Sequence, residues 1–153
     1  MKRFLASGFG VGLLWKTYFG EKKGGGTLAS FLFALLTYVL NLNVLELSIL
    51  FIILLLTYLA SVDDNEAKED PSWITLDEIV GMSLVTIASP SRLLPLLAGF
   101  LVFRLSDIMK QPKFVAELEK HPGKLGVIYD DLGAGLMGLL SATIVNQIIN
   151  LTL

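Results

Sequence analysis

The sequence has no cysteine and only one histidine, His121. The first absence removes disulfides, cysteine-ligated zinc, iron–sulfur clusters and a thiolate nucleophile of the protein-tyrosine-phosphatase type. A lone histidine between Lys120 and Pro122 cannot serve a mechanism that pairs a histidine nucleophile with a second histidine, and it makes a Ser-His-Asp hydrolase a poor fit. Charge is scarce as well. Twelve Lys and Arg face fourteen Asp and Glu, for a net charge of −2, and no basic stripe is present, so no nucleic-acid partner is expected. The glycine runs Gly8-Phe9-Gly10-Val11-Gly12 and Gly24-Gly25-Gly26-Thr27 lack P-loop spacing and follow no strand pattern, which argues against a nucleotide-binding fold.

Apolar residues are plentiful. They make up 54% of the 153 residues, with a mean hydropathy of +0.68, which points to one domain whose solvent is a lipid bilayer. The expected fold is all-α: a small integral membrane bundle of about five hydrophobic helices, some of them half-spanning, after an interfacial amino-terminal segment. That segment, Met1-Lys2-Arg3 followed by Phe4 to Trp15, mimics a signal peptide but lacks an A-x-A-like cleavage site, so it is read as retained. Trp15, Tyr18 and Phe19 around Lys16 suit a membrane–water interface.

Residues 28–59 would reach nearly 50 Å as one helix at ~1.5 Å per residue, against a ~30 Å hydrocarbon core. The run must fold back, and Asn41-Leu42-Asn43 supplies the turn between helices at 28–41 and 44–61. A charged loop at 62–72 precedes helices from Leu76 to Ser89 and from Arg92 to Met109, each with an apolar stretch too short to cross alone. Residues 110–129 read as a polar loop, and a last helix occupies 132–150. Parity then puts the amino-terminal segment, the 62–77 loop and the 104–131 region on one side, with nearly every Lys and Arg. Only Arg92 falls opposite. The positive-inside rule makes the lysine-rich side cytoplasmic, as in a bacterial inner membrane. On the last helix Asp130, Ala134, Gly138, Ala142, Asn146 and Asn150 recur every fourth residue, a face suited to close helix packing with asparagine hydrogen bonds across it.

Three acidic groups sit where apolar runs begin or end on that side: Asp77-Glu78, Asp107 within Arg104-x-x-Asp107-x-x-Lys110, and Asp130-Asp131. Carboxylates at that depth are costly unless paired or bound to a cation. Converging carboxylates are what Mg²⁺ requires, since it takes oxygen ligands and keeps waters for a phosphate substrate. Arg104 and Lys110 share a helical stripe with Asp107 and could flank an anion. Simpler accounts exist for each group. Thr75-Leu76-Asp77-Glu78 fits a capping box, Asp130 or Asp131 could cap the last helix, and the cations could complement a helix dipole.

Taken in order, these motifs resemble the phosphatidylglycerophosphatase A family of membrane lipid phosphatases. The resemblance rests on Phe9-Gly10-x-Gly12, Gly26-Thr27-x-x-Ser30, Asp77-Glu78-x-x-Gly81-Met82, Phe103-Arg104-x-x-Asp107-x-x-Lys110 and Gly126-x-x-x-Asp130-Asp131-x-x-Ala134-Gly135. It implies Mg²⁺-dependent hydrolysis of the terminal phosphomonoester of phosphatidylglycerophosphate. Asp77, Glu78, Asp130 and Asp131 would hold the metal, and Arg104 and Lys110 would neutralise the phosphoryl group. Asp107 would ligate, act as base or orient Lys110, and Gly26, Thr27 and Ser30 would contact phosphate. The chain departs from the family pattern at Gly25 and Ala29, where Pro and Gly are usual, at Gln111, where Pro is usual, and in a longer segment between Gly12 and Gly25. A rival account is a small transporter or assembly subunit that handles protons or cations on its carboxylates. It requires acids near helix centres, and Glu46 comes nearest. The long acidic signature of CDP-alcohol phosphatidyltransferases is absent.

Overall fold

Among the described residues five long or apolar helices form, close to the expected positions: α3 (Gly25–Val39), α4 (Val44–Ser61), α6 (Leu76–Ile87), α7 (Leu93–Met109) and α9 (Lys124–Thr152). Four short ones lie among them: α1 (Lys2–Ala6), α2 (Val11–Phe19), α5 (Asp64–Lys68) and α8 (Lys113–Leu118). This computed structural model describes residues 1–69 and 71–152, so Asp70 of the expected charged loop and Leu153 lie outside the described residues. No strand occurs among the described residues.

The short α6 is the centre of the molecule. At ~1.5 Å per residue its twelve residues are too short to cross a bilayer, and Leu76, Val80, Met82 and Val85 are fully enclosed. α6 is thus packed inside the bundle. Around it, α9 packs on α6 and α7, while α3 and α4 cover the remaining sides. Among the described residues two helices, α4 and α9, are long and apolar enough to cross a membrane. Their outward faces and those of α3 and α7 expose Leu36, Ile52, Leu56, Leu101 and Ile144, large apolar side chains of the kind that lipid covers.

Glycines let α9 approach its neighbours closely. A Cβ on Gly135 would strike the Gly81 backbone, and one on Gly138 would lie 2.7 Å from the Gly99 carbonyl. The expected small-residue face is present: Ala134, Gly138 and Ala142 are buried. At its far end Asn146 and Asn150 accept hydrogen bonds from Arg92 Nη1.

The opposite end gathers the segments that parity placed together. Arg3 pairs with Glu66 at 3.3 Å, Ser72 Oγ donates to Glu21 Oε2 at 2.7 Å, and the Lys124 amide donates to Asp64 Oδ1 at 3.0 Å. α2 carries Trp15 and Phe19 with ring centroids 4.4 Å apart, and Trp15 Nε1 donates to the Lys22 carbonyl at 2.7 Å.

Three local expectations need correction. The last helix begins at Lys124 rather than near 132, because Gly126 fits against the Glu119 and His121 carbonyls and Val115 of α8 is buried in the core. Residues 110–129 are therefore mostly helical, and neither Asp130 nor Asp131 is a cap. Thr75 makes no capping hydrogen bond, and its Oγ1 is buried without a partner. The capping box is at Asn43 instead. Its side chain accepts from the Leu45 and Glu46 amides at 3.0 and 3.1 Å, and Glu46 Oε2 accepts from the Asn43 amide at 2.8 Å. Asn43→Ala is expected to cost about 1 kcal/mol, measured by thermal unfolding in detergent. An unchanged midpoint would contradict the capping role.

Candidate active site

Four helix ends meet at the lysine-rich end of the bundle. The first turn of α6 brings Asp77 and Glu78, and the last turns of α7 bring Arg104, Asp107 and, as the left-handed C-cap, Lys110. The second turn of α9 brings Asp130 and Asp131, and the first turn of α3 brings Gly26 and Thr27. Glycine contacts set the spacing. Gly81 lies one turn below Asp77, where a Cβ would meet the Asp131 carbonyl at 2.7 Å, so α6 and α9 touch backbone to backbone directly beneath their acids. A Cβ on Gly26 would strike the Glu78 carboxylate, so the bare backbone of α3 gives Glu78 room to lie against it.

Arg104 is buried and reaches two helices. Its Nη2 donates to Thr27 Oγ1 at 3.0 Å, and its Nη1 lies 2.8 Å from Asp107 Oδ2. Asp107 Oδ1 is 3.3 Å from Lys110 Nζ. Lys110 in turn donates to Asp130 Oδ2 and lies 4.0 Å from Glu119. Arg104, Asp107, Lys110 and Asp130 thus form one alternating chain of charge from α7 to α9. Glu119, from the segment read as a loop, is a member that sequence spacing did not reveal. Burial alone would depress the Lys110 ammonium, but the hydrogen bond to Asp130 and the surrounding carboxylates outweigh it and push the pKa up, so the cation is retained.

The remaining acids are differently placed. Asp77 Oδ1, Glu78 Oε2, Asp130 Oδ1 and Asp131 Oδ1 are buried without a hydrogen-bond partner. Burial pushes the Asp77 and Glu78 carboxyls up, and at Glu78 the neighbouring Asp77 charge adds to the effect. Six carboxylates share this end with two cations, and four of their oxygens lack a donor, so the arrangement is short of positive charge. A hard divalent cation fits that deficit, since the donor set is all oxygen. Among the described residues no three carboxylates already enclose an ion position. The residues that fit best are Asp77, Glu78 and Asp131, because Asp130 is occupied by Lys110.

Two sequence-predicted phosphate contacts have other employment here. Ser30 is fully buried and donates to the Gly26 carbonyl at 2.7 Å. Gly26 is covered by Glu78, whereas Thr27 is partly exposed and bonded to Arg104. Of that set, Thr27, Arg104 and Lys110 are brought together with the acids.

Residues 4–146, a stretch containing every group of this site, match the family described as phosphatidylglycerophosphatase A. The chain belongs to the phosphatidylglycerophosphatase A family. It is also similar to a Bacteroides thetaiotaomicron protein named "Putative phosphatidylinositol-3-phosphatase", with 28% identity over 152 residues covering 95% of this chain and 93% of that protein. No solved structure matches it.

Membership gives the departures at Gly25 and Ala29 a physical setting. Gly25 is the first residue of α3, a position where proline is ordinarily well suited. Here a Cβ would lie 3.1 Å from the Ser72 carbonyl and 3.2 Å from Trp15, because the segment after Gly12 folds Trp15 over the start of the helix. Ala29 is buried in the core against which α3 packs. Both positions lie in packing contacts of α3 and leave the charged groups of this cluster intact.

Proposed function

We propose that the chain hydrolyses the terminal phosphomonoester of phosphatidylglycerophosphate to phosphatidylglycerol and phosphate, in a Mg²⁺-dependent reaction at the cytoplasmic face of a bacterial inner membrane. The observation that carries this is the pairing of two fixed cations, Arg104 and Lys110, with buried carboxylates whose oxygens lack donors. That combination suits a dianionic phosphate bound beside a divalent ion. A proton or cation pathway asks for acids along the helix centres, and Glu46 is instead part of a cap at the start of α4.

Asp107 holds Arg104 and Lys110 in place, so both donors are oriented before the phosphate arrives, which is where electrostatic catalysis gains most. The guanidinium fork and the ammonium receive the non-bridging oxygens, and Thr27 steadies the guanidinium from α3. A carboxylate of the α6–α9 cluster takes a proton from the attacking water, while Asp131, whose buried Oδ1 lacks a donor, serves the metal. Water adds to phosphorus, the ester P–O bond breaks, and the lipid oxygen leaves as an alcohol after taking up a proton. Mg²⁺ held by Asp77, Glu78 and Asp131 would supply Lewis-acid polarisation of the phosphate and lower the pKa of bound water.

The name of the Bacteroides relative brings a second lipid phosphomonoester into the test. Protein purified in detergent is expected to release inorganic phosphate from phosphatidylglycerophosphate faster than from phosphatidylinositol 3-phosphate. The reverse order would overturn the substrate assignment, and release from neither would overturn the phosphatase reading.

A further inference from the structure

α3 and α7 run antiparallel, and each turns one stripe toward the other. On α3 the stripe descends from Thr27 through Phe31, Ala34 and Leu35 to Tyr38. On α7 it descends from Arg104 through Phe100, Leu97 and Leu96 to Leu93. The two are in register. The Thr27–Arg104 hydrogen bond of 3.0 Å is the first rung, and the Phe31–Phe100 ring pair, with centroids 6.0 Å apart, is the second. Beyond the aromatic rung the helices part and a groove opens between them. Ala34 and Leu96 form its buried floor, while Phe31, Leu35, Leu93 and Leu97 are exposed along its walls.

We infer that this α3–α7 groove binds an acyl chain of the lipid whose phosphate is held at Arg104 and Lys110. Two observations select that occupant. The apolar groove begins one helical turn from the proposed phosphate-binding end, since Phe31 and Phe100 at its mouth lie four residues from Thr27 and Arg104. The depth also matches: from Arg104 to the far end of the groove at Leu93 the stripe runs about 16 Å at ~1.5 Å per residue, close to the ~15 Å depth of one leaflet in a ~30 Å hydrocarbon core. A lipid with its head group at the membrane surface therefore has a chain of the right reach lying along the groove. The substrate can enter sideways from the leaflet without leaving the hydrocarbon, and the protein gains binding energy from a part of the lipid remote from the reacting bond. This inference rests on the proposed function for the head group and for its place at Arg104 and Lys110.

The test uses the wild-type protein in nanodiscs and phosphatidylglycerophosphate carrying a diazirine midway along one acyl chain. After irradiation, most of the label is expected on residues 31–38 and 93–100, and unlabelled lipid should compete it away. Equal labelling of the outer faces of α4 and α9, or labelling that excess lipid does not reduce, would overturn the groove. So would a second copy seated on it, seen as disulfide-linked dimers of Leu97→Cys with no lipid label at the groove. In kinetics, Leu97→Trp is expected to raise KM about tenfold with kcat little changed, while Ile144→Trp on the exposed face of α9 leaves both constants as they are. An unchanged KM in a folded Leu97→Trp protein contradicts the inference, and if that variant does not fold the photolabelling decides. Competed labelling without phosphate release keeps the groove and sinks the phosphatase reading; release with scattered labelling does the opposite.

Discussion

Lys110→Ala is expected to reduce phosphate release by about two to three orders of magnitude, the cost of removing one preorganised donor from a transition state that concentrates negative charge. The fall should be chiefly in kcat, because Arg104 remains to bind the ground-state dianion. A structural objection is that Lys110 also neutralises Asp130 and Asp107, so its loss strands buried charge. Lys110 is about one-third exposed, so solvent tempers that penalty to well below the ~3–5 kcal/mol of a fully buried broken pair. The double variant Lys110→Ala with Asp130→Asn separates the two effects. It should regain thermal stability relative to Lys110→Ala while remaining inactive. Recovery of activity in the double variant would show that Lys110 only offsets Asp130.

Gly135→Val carries the largest expected effect on the fold. Its side chain would be driven into the Gly81 backbone, where no rotamer change can make room, and α6 is held from every side. Overpacking of that kind costs about 1–3 kcal/mol in ordinary cores and more where backbone must move. The contact lies one turn below Asp131 and one turn below Asp77, so parting the helices also parts the acids. The variant is expected to lose helical signal at a markedly lower temperature in detergent, and the fraction still folded should turn over at a fraction of the wild-type rate. A wild-type melting curve would mean that α6 and α9 do not meet at these glycines.

The sequence announced the helices better than their ends. Long apolar runs interrupted by Asn41-Leu42-Asn43 and by Pro90 located α3, α4, α6 and α7 to within a few residues. The start of α9 was hidden because Lys124 and the residues before it look like loop, and only the packing of Gly126 under the Glu119 and His121 carbonyls shows that the helix has begun. That misplacement made Asp130 and Asp131 look like possible caps. The pattern of a cap followed three residues later by Glu occurs at both Asn43 and Thr75, and only tertiary contact decides between them. At Asn43 the polar groups are near the surface and close on each other, whereas around Thr75 burial directs Glu78 toward α3 instead.

The charged members of the site were legible because carboxylates at helix mouths need a reason to be there. The division of labour among them was not. Asp130 and Asp131 are neighbours in sequence and each has a buried oxygen without a donor, yet only Asp130 is also tied to Lys110. Gly26, Gly81 and Gly135 stood out in the sequence as parts of motifs. Their physical role, letting three helices close on one another behind the acids, depends on partners far along the chain that spacing cannot supply.

The central claim is that carboxylates from α6 and α9 and cations from α7 remove a phosphate from a membrane lipid with the help of Mg²⁺. The most direct measurement is phosphate release from phosphatidylglycerophosphate by the purified wild-type protein, first with Mg²⁺, then with a chelator, then with Mg²⁺ restored. The account predicts release with Mg²⁺, its loss under chelation and its return on restoration, with Asp131→Asn silent throughout. Release that persists under chelation, or an Asp131→Asn protein as active as wild type, would contradict it.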